Sequence, residues 1–204
     1  MCIVNMMDSP SQTDVSPQAQ DDLQAIRRLK RGDIGGLEIL VARYQARAVR
    51  VAFLITHDEG QAEDVVQDTF VRLYRRIRQF DLSRPFEPYL LRSVTNAALN
   101  STRGVKQQIP FPSGGDPGEV EQLLLQAASV ESEVDTLQMK QKIIAALGTL
   151  EPRQRAAVVQ RYYLEMSEKE MAAALDARPG TVKWLLNAAR ARLRELLGSE
   201  RSVE

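Results

Sequence analysis

The stretch from Ser167 to Leu196, "SEKEMAAALDARPGTVKWLLNAARARLREL", decides the fold. Ser167 followed three residues later by Glu170 is a capping box, so a helix starts there. "DARPG" then turns the chain, and Pro179 suits the opening turn of the next helix. On that second helix Val182, Leu185, Leu186, Ala189, Leu193, Leu196 and Leu197 recur at spacings of three and four, which makes one continuous apolar stripe. A short capped helix, a tight turn and a longer helix with one buried face form a helix-turn-helix pattern.

Working outward, the remaining apolar residues also recur at three and four rather than two, which predicts an all-α protein. "DDLQAIRRLKRGD" places Leu23, Ile26 and Leu29 or Lys30 on one face and stops at Gly32. "GGLEILVARYQARAVRVAFLIT" carries a stripe of Leu37, Leu40, Val41, Tyr44, Ala48, Val51 and Ile55, ending near His57. The third helix, "DEGQAEDVVQDTFVRLYRRIRQF", has acids first and arginines last, the polarity the helix dipole favours. Its inner face is Ala62, Val65, Val66, Thr69, Phe70, Leu73 and Ile77. Prolines in "DLSRPFEP" interrupt the pattern, and "YLLRSVTNAALNSTR" resumes it as a fourth helix. Four more helices fit between Asp135 and Gly198, one of them opened by Glu151-Pro152.

The organisation expected is therefore two small helical domains, 23–103 and 137–198, joined by a flexible acidic linker, 104–136. An acidic N-terminal tail, 1–22, is expected to be disordered. Charge follows the same division. Net charge over the 204 residues is zero, but residues 23–103 hold fourteen basic against nine acidic residues, and 137–198 hold eleven against six. The linker holds one basic and six acidic. Because fields in solution act within a Debye length of about 8 Å, two basic blocks suggest two anion-binding modules despite the neutral total. The linker acids could lie across a basic face as an internal brake.

Several classes are set aside. One cysteine, Cys2, and one histidine, His57, make neither an intramolecular disulfide nor a Cys/His zinc site, and His57 reads as a helix-end or surface residue. Nothing resembles a leader peptide or a membrane span, so a cytoplasmic protein with no direct membrane insertion is expected. A metal site built from Glu63, Asp64 and Asp68 lacks a matching second acidic helix. No catalytic residue, metal, cofactor or small-molecule substrate is expected.

Two groups of residues suit nucleic acid. Opposite the stripe of the last helix lie Lys183, Trp184, Asn187, Arg190 and Arg194, with Arg178 and Thr181 at the amino end, where N–H groups meet phosphates. Lys and Asn address purine edges, and arginines pair with phosphates or bases. Trp184 either packs on DNA or packs inside its domain. The first block ends with aromatics and bases interleaved: Phe80, Arg84, Phe86, Tyr89, Arg92, Asn96 and Asn100. Unpaired strands are held by such stacking faces, amides and bases. The alternative for the three aromatics is the core of a small bundle.

"AEDVVQDTFVRLYR", "FDLSRPFEPYLLRSVTNAALN" and "LEPRQRAAVVQRYYLEMSEKEMAAALDARPGTVKWLLNAARARLREL" together resemble regions 2 and 4 of extracytoplasmic-function (ECF) sigma factors, in that order. The resemblance implies a non-enzymatic subunit that brings bacterial RNA polymerase core to promoters and helps open them. It also implies an anti-sigma factor as a partner. By position, Asp64, Gln67 and Asp68 match the segment that docks on the polymerase β′ coiled coil, while region 4 meets the β flap. Phe80 to Phe86 match the loop that captures a flipped base of the minus-ten element, and Asn96 and Asn100 match base-contacting positions. Arg161, Lys183, Trp184, Asn187 and Ala188 match contacts to the minus-thirty-five element. This chain departs from the family's "GTVKSRLxRAR" at Trp184, Leu185 and Ala188. It also has Tyr89 for a Trp, Asp176 for the turn Gly and Arg178 for a Ser cap. A free-standing helix-turn-helix regulator is the alternative, and it would bind a palindromic duplex without polymerase.

Overall fold

A computed structural model describes residues 17–102 and 134–198, and among these every regular element is helical. Residues 104–133 of the expected linker and 1–16 of the expected tail lie outside the described residues, while residues 134–136, expected as linker, already belong to a helix. The first helix, α1 (Pro17–Lys30), begins six residues before the expected boundary, so residues 17–22 are helical rather than tail. The reason is Asp22, which is buried and accepts hydrogen bonds from Arg43 Nη1 (2.7 Å) and from the Tyr44 hydroxyl. Arg43 also reaches Asp21 Oδ2 (3.2 Å) and the Gln18 carbonyl (3.1 Å), tying the first turns of α1 to the next helix. A carboxylate is tolerated in a core when it is paired and hydrogen-bonded in this way. Burial, then the bond to Asp22, holds the Tyr44 hydroxyl protonated by raising its pKa.

Helix α2 (Gly35–Thr56) is the axis of the first domain, and α1, α3 (Glu59–Arg76) and α4 (Phe86–Ser101) pack around it. Its expected stripe is the buried one: Leu40, Tyr44, Ala48, Val51 and Ile55 are all 2 % exposed or less. All seven residues expected on the inner face of α3 are buried. Asp58 caps α3 by accepting from the Gln61 N–H (2.8 Å). His57 ends α2 in a left-handed conformation (φ 58°), donates its N–H to the Phe53 carbonyl (2.7 Å) and stacks on the Phe53 ring. It is an exposed helix-end histidine, as expected.

The second domain comprises α5 (Val134–Gly148), α6 (Pro152–Val158) with a π-helical continuation over Val159–Tyr163, α7 (Glu168–Ala174) and α8 (Pro179–Gly198). Proline opens α6, and the Gln154 side chain accepts from the Glu151 N–H (3.2 Å). The apolar stripe of α8 packs on the other helices, with Val182, Ala189 and Leu193 fully buried. Each large aliphatic side chain so buried contributes about 1.5–3 kcal/mol.

Gln160, inside the π segment, is fully buried, and neither its Nε2 nor its Oε1 has a partner among the described residues. An orphaned buried amide costs about 1–3 kcal/mol. Gln160→Leu, which fills a similar volume without polar atoms, should therefore raise stability by about that amount in a thermal melt.

Candidate nucleic-acid interface

Three polar surfaces remain after the apolar faces are buried. The first is the outer side of α3, where Asp64, Gln67 and Asp68 are exposed as expected. The same stripe continues at helical spacing through Val71 and Tyr74, which are 41 % and 43 % exposed. An acidic end running into an exposed valine and tyrosine makes an exposed amphipathic strip. Sequence reading passed over these two residues because single apolar residues in an amphipathic helix look like core. The signal that could find Val71 is its register with Gln67 rather than with Val66 and Phe70; Tyr74, one turn after both Phe70 and Val71, carries no such mark.

The second surface is built on α4 and the loop before it. Here two expectations are corrected. Phe80 and Phe86 were expected as stacking faces, but both are buried, at 8 % and 3 % exposure. They belong to a chain of rings running Tyr44, Phe86, Phe80, Tyr89, with centroids 5.6, 5.9 and 5.0 Å apart. Such tilted and edge contacts favour packing over solvent exposure. Only Tyr89, at 39 %, presents a ring to solvent. The loop itself is shaped locally. Asp81 Oδ1 accepts from the Ser83 N–H (2.9 Å) and hydroxyl (2.7 Å), which lowers the Asp81 pKa, and Lys30 Nζ donates to the Phe80 carbonyl (2.6 Å). Arg84 is left exposed at its tip, 3.5 Å from Asp81. Along α4, Tyr89, Asn96 and Asn100 share one face, with Arg92 at its edge. Asn96 is half-buried, and its Oδ1 is buried without a partner among the described residues.

The third surface is the amino-terminal half of α8. Asp176 sits in the turn at φ 47°, a left-handed position that Asp tolerates better than most residues other than Gly. Arg178, Thr181, Lys183 and Asn187 are exposed, with Lys183 Nζ 3.7 Å from Glu168. Arg161, on the π-helical segment, is exposed and reaches the Met166 carbonyl (3.4 Å). Three residues expected on this face are committed elsewhere. Trp184 is half-buried and packs against the apolar core, and Ala188 is buried. Arg190 donates from Nε to the Tyr162 hydroxyl (2.7 Å) with its guanidinium 5.8 Å from that ring's centre, so its charge braces the domain.

The comparisons with known proteins follow this division. Residues 40–107 match the family model "Sigma-70 region 2" and residues 140–193 match "Sigma-70, region 4". The ECF RNA polymerase sigma factor SigW of Bacillus subtilis is 27 % identical over 84 % of this chain and 94 % of its own length. The RNA polymerase sigma-E factor of Streptomyces avermitilis is 32 % identical over 84 % of this chain and 90 % of its own. Among solved structures, CnrH in complex with the cytosolic domain of CnrY matches with a TM-score of 0.56 at 24 % identity, over 88 % of this chain and 99 % of that one. The sigma factor RpoE in complex with the anti-sigma factor NepR from Bartonella quintana matches at 0.53 and 20 %, over 80 % and 98 %. These two likenesses concern the fold.

Two outcomes test the site's construction. Because Trp184 is part of its domain's packing, Trp184→Ser should cost about 2 kcal/mol, roughly half the loss at a fully buried Trp, read from thermal unfolding; Lys183→Ala should change stability by less than about 0.5 kcal/mol. The Glu170 carboxyl accepts from the Ser167 N–H (2.9 Å) and hydroxyl (2.8 Å), and these bonds, the backbone one first, lower its pKa. The stability it adds is thus present above the ordinary glutamate range and lost as pH falls through the lowered value. The difference in melting temperature between the natural chain and Glu170→Gln should shrink toward zero on acidification through that window.

Proposed function

From the chain's membership of the extracytoplasmic-function sigma factors, subunits that direct RNA polymerase to promoters, we propose how the work is divided among the three surfaces. The first domain docks on polymerase core through Asp64, Gln67 and Asp68, extended by Val71 and Tyr74. Acids at this strip suit a basic partner helix, and apolar residues beside them give it something to bury against. The same domain engages the minus-ten element through Tyr89, Arg92, Asn96 and Asn100, with Arg84 at the loop tip. The buried Phe80 and Phe86 act as pillars under that loop. The second domain reads the minus-thirty-five element in the major groove with Thr181, Lys183 and Asn187, and anchors phosphates with Arg161 and Arg178.

The observation that carries this division is that each family-matched domain buries its apolar stripe and keeps one polar face open, on α4 and on α8. A sigma factor is a non-catalytic initiation subunit, and the chemistry these faces offer is binding: an amide acceptor, an exposed ring and cations. Among the described residues no helix is long and apolar enough to cross a membrane. The chain acts in the cytoplasm, where polymerase and promoter are. An anti-sigma factor is its off-switch partner, by analogy with the sigma factor solved with the anti-sigma factor NepR.

Transcription in vitro with purified core polymerase on a promoter library tests the reading: promoter-specific initiation should depend on this chain. Asn96→Ala should lower promoter opening by about 5- to 100-fold and relax minus-ten preference, the range for losing a base-edge contact of about 1–3 kcal/mol. Lys183→Ala should weaken upstream binding with little change in opening, read by footprinting. Wild-type behaviour of both variants would refute the assignment.

A further inference from the structure

Helix α2 has a second apolar face, and the first domain leaves it open. Its buried stripe runs through Leu40, Tyr44, Ala48, Val51 and Ile55. On the opposite side Ile39, Ala42, Ala46, Val49 and Phe53 recur at spacings of three, four, three and four, which is one seam along the helix. Ile39 is 37 % exposed, Ala42 and Ala46 are exposed, and Val49 and Phe53 are half-buried. A helix at a protein surface ordinarily carries one apolar stripe with polar residues opposite it. A second seam, with two alanines set between larger side chains, is a shallow groove that a further segment of chain can cover.

The chain supplies such a segment, and it starts beside the seam. Arg43 follows Ala42 on α2 and lies one turn from both Ile39 and Ala46. Its Nη1 donates to the carbonyl of Gln18 (3.1 Å) in the first turn of α1, so residues 1–16 join the domain alongside the seam. They open with "MCIVNMM", in which six of seven residues are apolar and none is charged. Three of the chain's six methionines lie here, and their unbranched side chains fill irregular surfaces and pack against ring edges such as that of Phe53. Asp8 and Asp14 are the only charges in residues 1–16. On the edge of the seam, Arg50 is exposed and pairs with no carboxylate among the described residues.

Reach and tethering favour this occupant over a free partner. The seam is about 21 Å long at 1.5 Å per residue. The ten residues from Asp8 to Pro17 span up to about 33 Å when extended, enough to lay Met1–Met7 anywhere along it. A seam about 10 Å wide offers on the order of 200 Å² per partner, against about 800 Å² in a standard interface, too little to hold a second copy or another protein. A segment tethered ten residues away meets it at about millimolar effective concentration, where a small apolar contact suffices.

We propose that Met1–Met7 docks in cis on the Ile39–Phe53 seam of α2, with the acids that follow it beside Arg50. None of the seam's residues belongs to the polymerase or promoter surfaces proposed above, so this inference stands apart from that reading. Cys2, the chain's single cysteine, reports on the docking directly. In the full chain its thiol should react with a neutral aromatic disulfide about tenfold more slowly than in Ala46→Glu, if the segment is docked nine-tenths of the time. Ala46 is exposed and glutamate is a good helix former, so the variant should keep its helical circular dichroism and melting temperature.

A second measurement gives the position. Ala46→Cys should close a disulfide with Cys2 about tenfold faster than Glu63→Cys, an exposed site on α3, a difference to which loop length contributes less than about twofold. Equal thiol rates in the natural chain and Ala46→Glu, or equal closure at the two sites, would overturn the docking. Because a tethered contact does not depend on concentration, protection of Cys2 should survive a roughly hundredfold dilution. Protection lost on dilution would assign the seam to a second copy and overturn the proposal as well.

Discussion

A helix ends in carbonyls that have no donor within the helix, and when such an end is buried something must supply one. Here a single guanidinium, Arg155, serves the ends of α2 and α5 at once. That shared cap places the second domain on the first. His57 turns the chain there in a left-handed conformation, and its imidazole occupies the space that a Cβ on Gly148 would fill. The pairing of Arg92 with Glu170 and the approach of Arg47 to Tyr163 lie at the other edge of the same contact. A charge so enclosed is tolerated because three backbone carbonyls accept from it, and it is costly to strand without acceptors.

The functional faces are shaped by what is removed from them as much as by what they show. Packing takes Phe80, Phe86, Trp184, Ala188 and Arg190 wholly or partly out of the nucleic-acid surfaces expected for them. What remains on α4 is a ring, two amides and an arginine; on α8 it is a lysine, a threonine and an asparagine near a helix start. These surfaces are small and polar, as suits a subunit whose affinity for DNA is completed by the polymerase that carries it. The buried Oδ1 of Asn96 has no donor among the described residues, although buried acceptors in folded proteins normally find one.

Much of the architecture was legible from periodicity and punctuation. The stripes of α2, α3 and α8 were readable because a helix repeats its environment every three or four residues, and an apolar stripe has only one place to go. The Ser167–Glu170 box was readable because both partners are local. The α1 boundary was missed because Asp22 looks like solvent-facing acid until Arg43 and Tyr44, twenty-one and twenty-two residues later, are placed beside it. The aromatics around the α4 loop were ambiguous for a related reason. A loop has no period, so a ring there carries no mark of which way it points.

Sequence alone settled that the chain is helical, that it has two amphipathic units with basic faces, and which family it resembles. These properties depend on neighbours within a turn or two, and spacing records them. Tertiary structure alone decided which aromatics are pillars and which one is exposed, that Arg190 serves Tyr162, and that the domains close on Arg155. The decisive acceptor there is the carbonyl of Ile55, one hundred residues away. Every residue has a carbonyl, so a contact made to one leaves no trace in the order of side chains; only the path of the backbone brings it within reach.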